Sequence, residues 1–257
     1  MRHAVAAAVA IIGLTVAGCR PTVQVTRIQA RPIASTTSIE PGAHPLGLGQ
    51  PRLRDMSWRD GTLYVPTSAR DRRVPLLVLL HGGGGRADDF REAFSPLVDE
   101  FGVAIVTLDS RDNTWDGIDS PYGPDVLFID AALKRVFDRV AVDPSHIALG
   151  GLSDGGFYSL SVGLVNGDLF THLIAVAPGY YAPPSSLVGR PRIFVGHGVR
   201  DNVYNVRLSR DRTVPQLTQD GYDVTYFEFD GPHWVTPDAA RRALEWLTNE
   251  GRRTPTQ

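Results

Sequence analysis

Short apolar runs alternate with stretches of helical spacing along most of the chain. Residues 75–80 (Pro-Leu-Leu-Val-Leu-Leu) and 103–108 are apolar runs typical of strands buried on both faces of a sheet. Shorter apolar runs predict further strands at 62–65, 147–151, 173–177, 192–196 and 224–229. Helical spacing of the apolar residues predicts helices at 88–100, 126–140, 156–166, 203–220 and 237–250. Alternating strands and helices predict an α/β fold of three layers, with a mostly parallel sheet in the middle.

Polar residues follow several of the predicted strands, at the sheet edge where sites form in such folds. Ser153, Asp201 and His233 stand at three strand ends, in that order along the chain. Residues 151–155 (Gly-Leu-Ser-Asp-Gly) fit the G-x-S-x-G pattern, which places a serine on a sharp turn between a strand and a helix. Glycines suit both sides of that serine because the turn is strained and crowded.

The three strand-end residues predict nucleophilic catalysis. A serine hydroxyl needs a neighbouring base, so we expect His233 to take its proton and return it to the leaving alcohol. Asp201 would hold the imidazole in one tautomer and stabilise its charged form. Asp230 stays open as the alternative acid, because it also ends a strand and lies close to His233 in sequence. His81 and His197 stand at strand ends too and are the alternative bases.

A glycine-rich loop, residues 81–85 (His-Gly-Gly-Gly-Gly), follows the strand predicted at 75–80. The tetrahedral oxyanion of an acyl transfer needs N–H donors placed where its charge develops. We expect the backbone N–H of Asp154 to be one donor and that of Gly83 to be the other. Gly84 is the competing candidate for the second donor.

Three aromatic residues near these strand ends are candidates for the substrate pocket: Trp115, Trp234 and Tyr180. Large aromatic side chains also bury much apolar area, so plain core packing stays open for each of them. Asp112 and Asp116 could be considered as metal ligands, but no second cluster of His or acidic residues supports them. We expect them to be solvated loop acids, and we expect no metal or organic cofactor.

These motifs resemble the α/β-hydrolase superfamily, and most closely its phospholipase/carboxylesterase and polyhydroxybutyrate-depolymerase-like serine esterases. The resembling segments span about residues 74–247 and are 81–85, 88–90, 110–116, 151–156, 196–201 and 231–233. The resemblance implies an α/β-hydrolase fold and a serine hydrolase that cleaves carboxylic esters through an acyl-enzyme. Asp154 departs from the pattern, since many relatives carry Gln or Met after the nucleophile. Few residues are left over between the predicted strands, so we expect no large cap domain.

Two other function classes fit parts of the chain. Residues 82–87 (Gly-Gly-Gly-Gly-Arg-Ala) satisfy the dinucleotide pattern G-x-G-x-x-A, with Asp109 about 20 residues further on. A dinucleotide enzyme would leave the placement of Ser153, Asp201 and His233 unexplained, and an exported protein has poor access to a soluble dinucleotide. A catalytically silent binding protein on the same fold is the third hypothesis, although the complete set of three residues gives it little support.

The N-terminal residues predict export. Arg2 and His3 precede an apolar stretch at 4–17, which is too short for a membrane span and is typical of a signal peptide. Residues 16–19 (Val-Ala-Gly-Cys) resemble the bacterial lipobox, so we expect Cys19, the one cysteine of the chain, to carry a lipid. An ordinary cleaved signal with an incidental cysteine stays open. The predicted divisions are a signal peptide at 1–18, a tether and lead-in at 19–51, the hydrolase domain at 52–251 and a tail at 252–257.

Composition narrows the expected partners. The chain has 257 residues, 42% of them hydrophobic, and a formal net charge of −2. This suits one globular domain and gives no reason to expect a nucleic-acid partner. We expect a small or surface-borne ester as substrate and a bacterial membrane reached through Cys19, with a periplasmic or secreted protein as the alternative.

Overall fold

The computed structural model describes residues 25–33, 38–53, 55–118, 120–182, 184 and 186–249. Its strands are β1 (Gly42–Pro45), β2 (Gln50–Pro51), β3 (Trp58–Arg59), β4 (Gly61–Val65), β5 (Val74–Leu80), β6 (Ala104–Leu108), β7 (Val142–Leu152), β8 (His172–Val176), β9 (Arg192–Gly198) and β10 (Val224–Phe229). Its α-helices are α1 (Arg91–Phe94), α2 (Leu97–Phe101), α3 (Pro124–Phe137), α4 (Asp154–Val165), α5 (Val214–Gln219) and α6 (Pro237–Thr248). Shorter helical turns cover Thr67–Arg70, Ala87–Phe90 and Ser209–Thr213.

Eight of these strands form one mostly parallel sheet, as the alternating pattern predicts. The strand order is β1-β4-β6-β5-β7-β8-β9-β10. β4 runs antiparallel to both of its neighbours, β1 and β6, and every pairing from β6 to β10 is parallel. The carboxyl ends of β5 to β10 therefore lie along one edge, and the loops that follow them build the site.

The sheet separates two hydrophobic cores, and β5 shows how the sequence produces them. Leu76 and Leu80 point into the core that includes α3 and α4, whereas Leu77 and Leu79 point into the core beneath α6. Side chains alternate between the faces of a strand, so a strand between two helical layers must be apolar at every position. Each fully buried leucine contributes about 1.5–3 kcal/mol relative to an exposed one.

The helix predicted at 88–100 is interrupted in the structure. A 3₁₀ turn at Ala87–Phe90 leads into α1, and α2 begins after Pro96. Proline has no N–H to donate to the preceding turn, so the helical hydrogen-bond pattern is broken at Pro96. The predicted apolar spacing still describes the packing, because Phe90 and Phe94 are buried against each other.

The helix predicted at 203–220 begins later than expected. The Asp201 carboxylate accepts the N–H groups of Val203 and Tyr204, both at 2.8 Å, and this fixes the start of the segment as a loop. The N–H of Arg207 is bound by the Asn205 side chain at 3.0 Å. Regular helix then begins at Arg207, passes through the π-helical turn Ser209–Thr213 and continues into α5.

The predicted lead-in at 19–51 and the domain start at residue 52 need correction where the chain is described. β1 belongs to the main sheet, and Ile28 and Leu46 are fully buried in its core. The N–H of Ile28 donates to the side-chain oxygen of Asn166 at 2.8 Å, and that of Ala30 donates to Asp130 at 2.7 Å. Because side chains bind these backbone groups, the segment packs onto the domain without any periodic pattern.

Several terminal predictions lie outside the described residues. These are the signal peptide at 1–18, Cys19 with its lipid, and the tail at 252–257. Within the described ranges, no helix combines the length and the apolar character that crossing a bilayer requires.

Candidate active site

Ser153 lies on a strained turn between β7 and α4. Its backbone angles are φ 55° and ψ −118°, in a region that non-glycine residues rarely occupy. Its N–H donates to the carbonyl oxygen of Val176 at 2.9 Å, which ties the turn to the end of β8. The observed strand, turn and helix are the context that the G-x-S-x-G pattern requires.

The glycines on either side of Ser153 are explained by close backbone contacts. A Cβ added to Gly151 would lie 2.5 Å from the carbonyl oxygen of Leu80. A Cβ added to Gly155 would overlap that same oxygen. The turn therefore packs directly against the end of β5, where the glycine-rich loop begins.

Asp201 and His233 form the acid–imidazole pair that the sequence predicts. His233 donates from Nδ1 to Oδ2 of Asp201 at 2.6 Å, while Oδ1 accepts the N–H groups of Val203 and Tyr204. Burial raises the pKa of Asp201, but the hydrogen bonds from His233, Tyr204 and Val203 outweigh it and hold this pKa below its usual value. The carboxylate is ionised at neutral pH and fixes the orientation of the His233 ring.

Ser153 and His233 line one cavity of about 110 Å³ at the carboxyl edge of the sheet. Its wall combines the glycine-rich loop with the apolar side chains of Phe90, Leu152 and Trp234. No hydrogen bond joins Ser153 and His233, although both line this cavity and both belong to the described part of the chain. Such bonds often tighten only when substrate binds, and the arrangement leaves the His233 Nε2 available for the serine proton.

Asp230, the alternative acid, lies away from the imidazole. Its carboxylate is exposed and pairs with Arg200, with Nε and Oδ1 2.9 Å apart. Asp230 therefore has no part in orienting His233, and the geometry favours Asp201 as the acid.

His81, one alternative base, uses both ring nitrogens in hydrogen bonds that hold the glycine-rich loop. It donates from Nδ1 to the carbonyl oxygen of Gly82 at 2.7 Å, and its Nε2 accepts the N–H of Ser110 at 3.0 Å. This pattern fixes a neutral imidazole with its proton on Nδ1. Burial lowers the pKa of His81, which agrees with that form. His197 is likewise buried, with both ring nitrogens hydrogen-bonded to Ser209 and Tyr204.

Gly83 and Asp154, the residues expected to supply the two oxyanion donors, lie next to each other. A Cβ added to Gly83 would lie 2.7 Å from Oδ2 of Asp154, so the loop passes directly over the start of α4. The competing donor, Gly84, already gives its N–H to the carbonyl oxygen of Asn113 at 2.7 Å. The geometry thus favours Gly83 together with Asp154. The Asp154 carboxylate is held by the Thr114 hydroxyl, which donates to Oδ2 at 2.6 Å.

Of the three aromatic pocket candidates, Trp234 lines the cavity and is 43% exposed. Trp115 is fully buried behind the glycine-rich loop, where its Nε1–H donates to the carbonyl oxygen of His81 at 2.8 Å. Tyr180 is 53% exposed, and its ring packs on Phe157 with centroids 4.5 Å apart, outside the cavity wall. Trp115 therefore supports the loop and does not line the cavity that holds Ser153.

Asp116 differs from the expectation of a solvated loop acid. It is buried, and its Oδ2 accepts the N–H groups of Gly123 and Asp125, while Oδ1 accepts the hydroxyl of Tyr158. These bonds tie the loop after β6 to α3 and α4. Among the described residues, no group of His, Cys, Asp or Glu is arranged to hold a metal ion.

The dinucleotide pattern at 82–87 has a structural explanation. Asp109, the residue expected to bind a ribose, accepts the N–H of Ala87 at 2.9 Å and lies 3.5 Å from Nη1 of the buried Arg52. The strand order, with antiparallel β4 and β1 at one side, also differs from the order 3-2-1-4-5-6 of a classic dinucleotide fold.

Sequence reasoning missed two residues that hold the site together. Thr114 binds the Asp154 carboxylate, and Tyr204 gives its N–H to Asp201. Their position in loops that directly follow strand ends was the available signal, but a lone Thr or Tyr in a loop carries no pattern of its own.

Comparison with known proteins gives one curated relative and many similar structures. The chain matches no protein-family model. It is 25% identical over 170 residues to the protein named "Putative esterase NocK" from Nocardia uniformis subsp. tsuyamanensis, over 63% of this chain and 47% of that one. The chain therefore spans about half the length of this curated relative.

The similar solved structures share the fold. The crystal structure of esterase PE8 has a TM-score of 0.60 at 21% identity, over 74% of this chain and 97% of that one. The S-formylglutathione hydrolase FrmB from Staphylococcus aureus has a TM-score of 0.61 at 15% identity, over 81% of this chain and all of its own (100%). The domain has the α/β-hydrolase fold, and no large cap is evident in its described part.

Proposed function

We propose that this protein is a serine hydrolase that cleaves carboxylic esters through an acyl-enzyme. The observation that carries the proposal is the Asp201–His233 hydrogen bond beside the strained Ser153, with serine and imidazole lining one cavity. The α/β-hydrolase fold and the likeness to proteins named as esterases support it.

The reaction would proceed in two halves. His233 Nε2 takes the proton of Ser153 as the serine oxygen attacks the ester carbonyl carbon. The resulting oxyanion accepts the N–H groups of Gly83 and Asp154, and collapse expels the alcohol, which receives the proton from His233. A water molecule, deprotonated by His233, then attacks the acyl group and releases the carboxylic acid and the free serine.

The cavity supports a substrate with a small group beside Ser153. Its volume of about 110 Å³ is below the roughly 150 Å³ of an engineered cavity that holds one benzene molecule. A short acyl chain or a compact alcohol fits such a space, whereas a long chain would have to extend into solvent. We therefore propose modest, soluble or surface-borne esters over long-chain lipids.

A fluorophosphonate probe tests the nucleophile directly. We expect covalent labelling of the full chain at neutral pH and none of the Ser153→Ala variant. Ser161→Ala is the matched control, because Ser161 lies on α4, which begins directly after Ser153, is buried and donates its hydroxyl to the Phe157 carbonyl. Absence of labelling in the folded wild-type protein would remove the serine-hydrolase proposal.

A series of p-nitrophenyl esters tests the substrate size. We expect kcat/KM to fall from the acetyl and butyryl esters to the octanoyl and longer esters. A clear preference for the long chains would contradict the small cavity as the acyl or alcohol site.

Export and a lipid anchor on Cys19 are also proposed, on the sequence of residues 1–19. In bacteria that express the full chain and are fed an alkyne fatty acid, the protein should become labelled, and Cys19→Ala should not. An unlabelled wild-type protein in the periplasm or the medium would point to an ordinary cleaved signal.

A further inference from the structure

A second imidazole lies against the carboxylate of the site. His197, at the end of β9, is fully buried, and its Nε2 lies 3.1 Å from Oδ2 of Asp201. The same Oδ2 accepts the Nδ1–H of His233. One carboxylate oxygen therefore faces two histidine rings, of which the proposed function uses one.

The partners of His197 determine where its proton lies. Besides Asp201, its Nε2 has the carbonyl oxygen of Tyr204 as a hydrogen-bond partner at 3.1 Å. A carbonyl oxygen and an ionised carboxylate only accept hydrogen bonds, so Nε2 must carry the proton and face both oxygens. Nδ1 is then free to accept the hydroxyl of Ser209, whose oxygen lies 2.7 Å away.

Tyr204 connects His197 to the rest of the site. Its carbonyl oxygen accepts from His197, and its N–H donates to Oδ1 of Asp201. Its ring also meets His233 edge-on, with centroids 5.4 Å apart. Asp201 is thus held at Oδ1 by backbone N–H groups and approached at Oδ2 by a donor on each side, so its carboxylate has little freedom to rotate.

Ser209 reaches His197 from an unusual piece of backbone. It is the first residue of the π-helical turn and is fully buried. Turns of this kind inside helices are rare and occur frequently at functional sites. The hydrogen-bonded series runs from Ser209 through His197 to the Tyr204–Asp201 pair, and from there to His233.

We propose that His197 is a positioning residue for Asp201: its Nε2–H, which donates to the Tyr204 carbonyl and lies 3.1 Å from Oδ2 of Asp201, keeps that carboxylate oxygen directed at Nδ1 of His233. The inference rests on the proposed function, because it assigns His197 to the acid of that reaction. His197 touches no substrate in this scheme. It acts through Asp201 on the direction in which the His233 ring faces Ser153.

Variants at residue 197 test the proposal by their effect on kcat. His197→Phe keeps a ring but loses the donor, and we expect kcat for p-nitrophenyl acetate to fall about 10- to 100-fold with KM nearly unchanged. His197→Gln keeps an N–H at similar reach and should restore most of that loss. Ser209→Ala, which leaves the Nε2 donor in place, should have a smaller effect in the same direction.

His172→Phe is the matched control, since it removes another fully buried histidine that lies at the start of β8. It should keep the wild-type kcat per folded molecule, as judged by circular dichroism and active-site titration. Equal losses in His197→Phe and His172→Phe would mean that both act through general destabilisation. Wild-type kcat in His197→Phe, or failure of Gln to restore activity, would overturn the inference.

Nitrogen NMR of the histidine rings provides a test that does not depend on turnover. We expect the ¹⁵N shifts of His197 to report a proton on Nε2 and a hydrogen-bond acceptor at Nδ1, and the His233 Nδ1–H resonance to move in His197→Phe. A His197 proton on Nδ1, or an unmoved His233 resonance, would overturn the positioning role even if Ser153 labels normally. A folded protein that fails to label but shows the expected shifts would instead sink the proposed function.

Discussion

Two fully buried histidines, His197 and His172, lie at opposite ends of the parallel strands and differ in their hydrogen-bond partners. His197, at the carboxyl end of β9, has hydrogen-bond partners at both ring nitrogens. His172, at the amino end of β8, has Thr171 as the partner of Nδ1, but its buried Nε2 has none among the described residues. Both side chains are fully buried, so burial alone does not distinguish a histidine that serves a site from one that fills the core.

The surroundings of His172 explain why it tolerates an unpartnered nitrogen. Its ring stacks on His146 and meets Trp246 edge-on, at centroid distances of 5.7 and 5.1 Å. Burial, and after it the positive charges of Arg192 and His146, lowers the pKa of His172 to about 4. The ring is neutral near pH 7 and packs as an aromatic residue. At the carboxyl edge, by contrast, the buried His197 belongs to a hydrogen-bonded series that includes the Asp201 carboxylate and reaches His233.

The largest expected effect is on kcat, and it distinguishes Asp201 from Asp230, two aspartates near the carboxyl edge of the sheet. Asp201→Asn should lower kcat about 10⁴-fold, because the imidazole loses the acceptor that fixes its tautomer. Asp230→Asn is the matched control, and it should stay within about twofold of wild type because exposed ion pairs contribute little. Comparable losses in steady-state ester hydrolysis for the two variants would contradict the assignment of the acid.

The next effect concerns His172 at the amino edge of the sheet, whose burial should make the free energy of unfolding depend on pH. His172 has a pKa near 6.5 when unfolded and about 4 when folded, so between these values the unfolded chain binds more protons. Its contribution to stability is complete above about pH 6.5 and is lost as the pH falls toward 4. The free energy of unfolding in urea should be measured at pH 7.5 and 4.5 for wild type and for His172→Phe. Its fall between these pH values should be about 2–3 kcal/mol smaller in the variant. Identical pH dependence would mean that His172 is not buried as a neutral ring.

The smallest effect concerns Thr114, whose hydroxyl binds Asp154, the residue after the proposed nucleophile. Thr114→Val keeps the shape of the side chain but removes the hydroxyl that binds Asp154. A carboxylate without its donor beside the developing oxyanion should lower kcat/KM about 10-fold. Thr114→Ser keeps the hydroxyl and should remain close to wild type. Faster hydrolysis by Thr114→Val would show that the hydrogen bond does not serve the oxyanion site.

Where a residue has one possible environment, the sequence predicts the structure well. The strand predicted at 75–80 is observed as Val74–Leu80, because a strand between two helical layers is apolar throughout. The turn at Ser153 is equally predictable, since backbone contacts exclude side chains at Gly151 and Gly155. β1 escaped prediction because its residues, Gly-Ala-His-Pro, have no apolar pattern and it pairs only along one side.

The supporting contacts of the site depend on distances that only the folded chain defines. Thr114 and Asp154 are 40 residues apart, and His197 and Ser209 are separated by 12. No local pattern links the members of either pair. The spacing of four residues between His197 and Asp201 was available, but a histidine at a strand end is also compatible with catalysis or with a glycine turn.

The contact between Gly155 and the end of β5 has a consequence for anyone who wishes to alter this protein. Because the first turn of α4 rests on the carbonyl oxygen of Leu80, bare backbone sets how closely α4 approaches the end of β5, and the two proposed oxyanion donors depend on this approach. A saturation library at 151 or 155 should yield almost no active clones. Specificity would have to be engineered at the rim, where Trp234 can change size without moving the Gly83 and Asp154 amides.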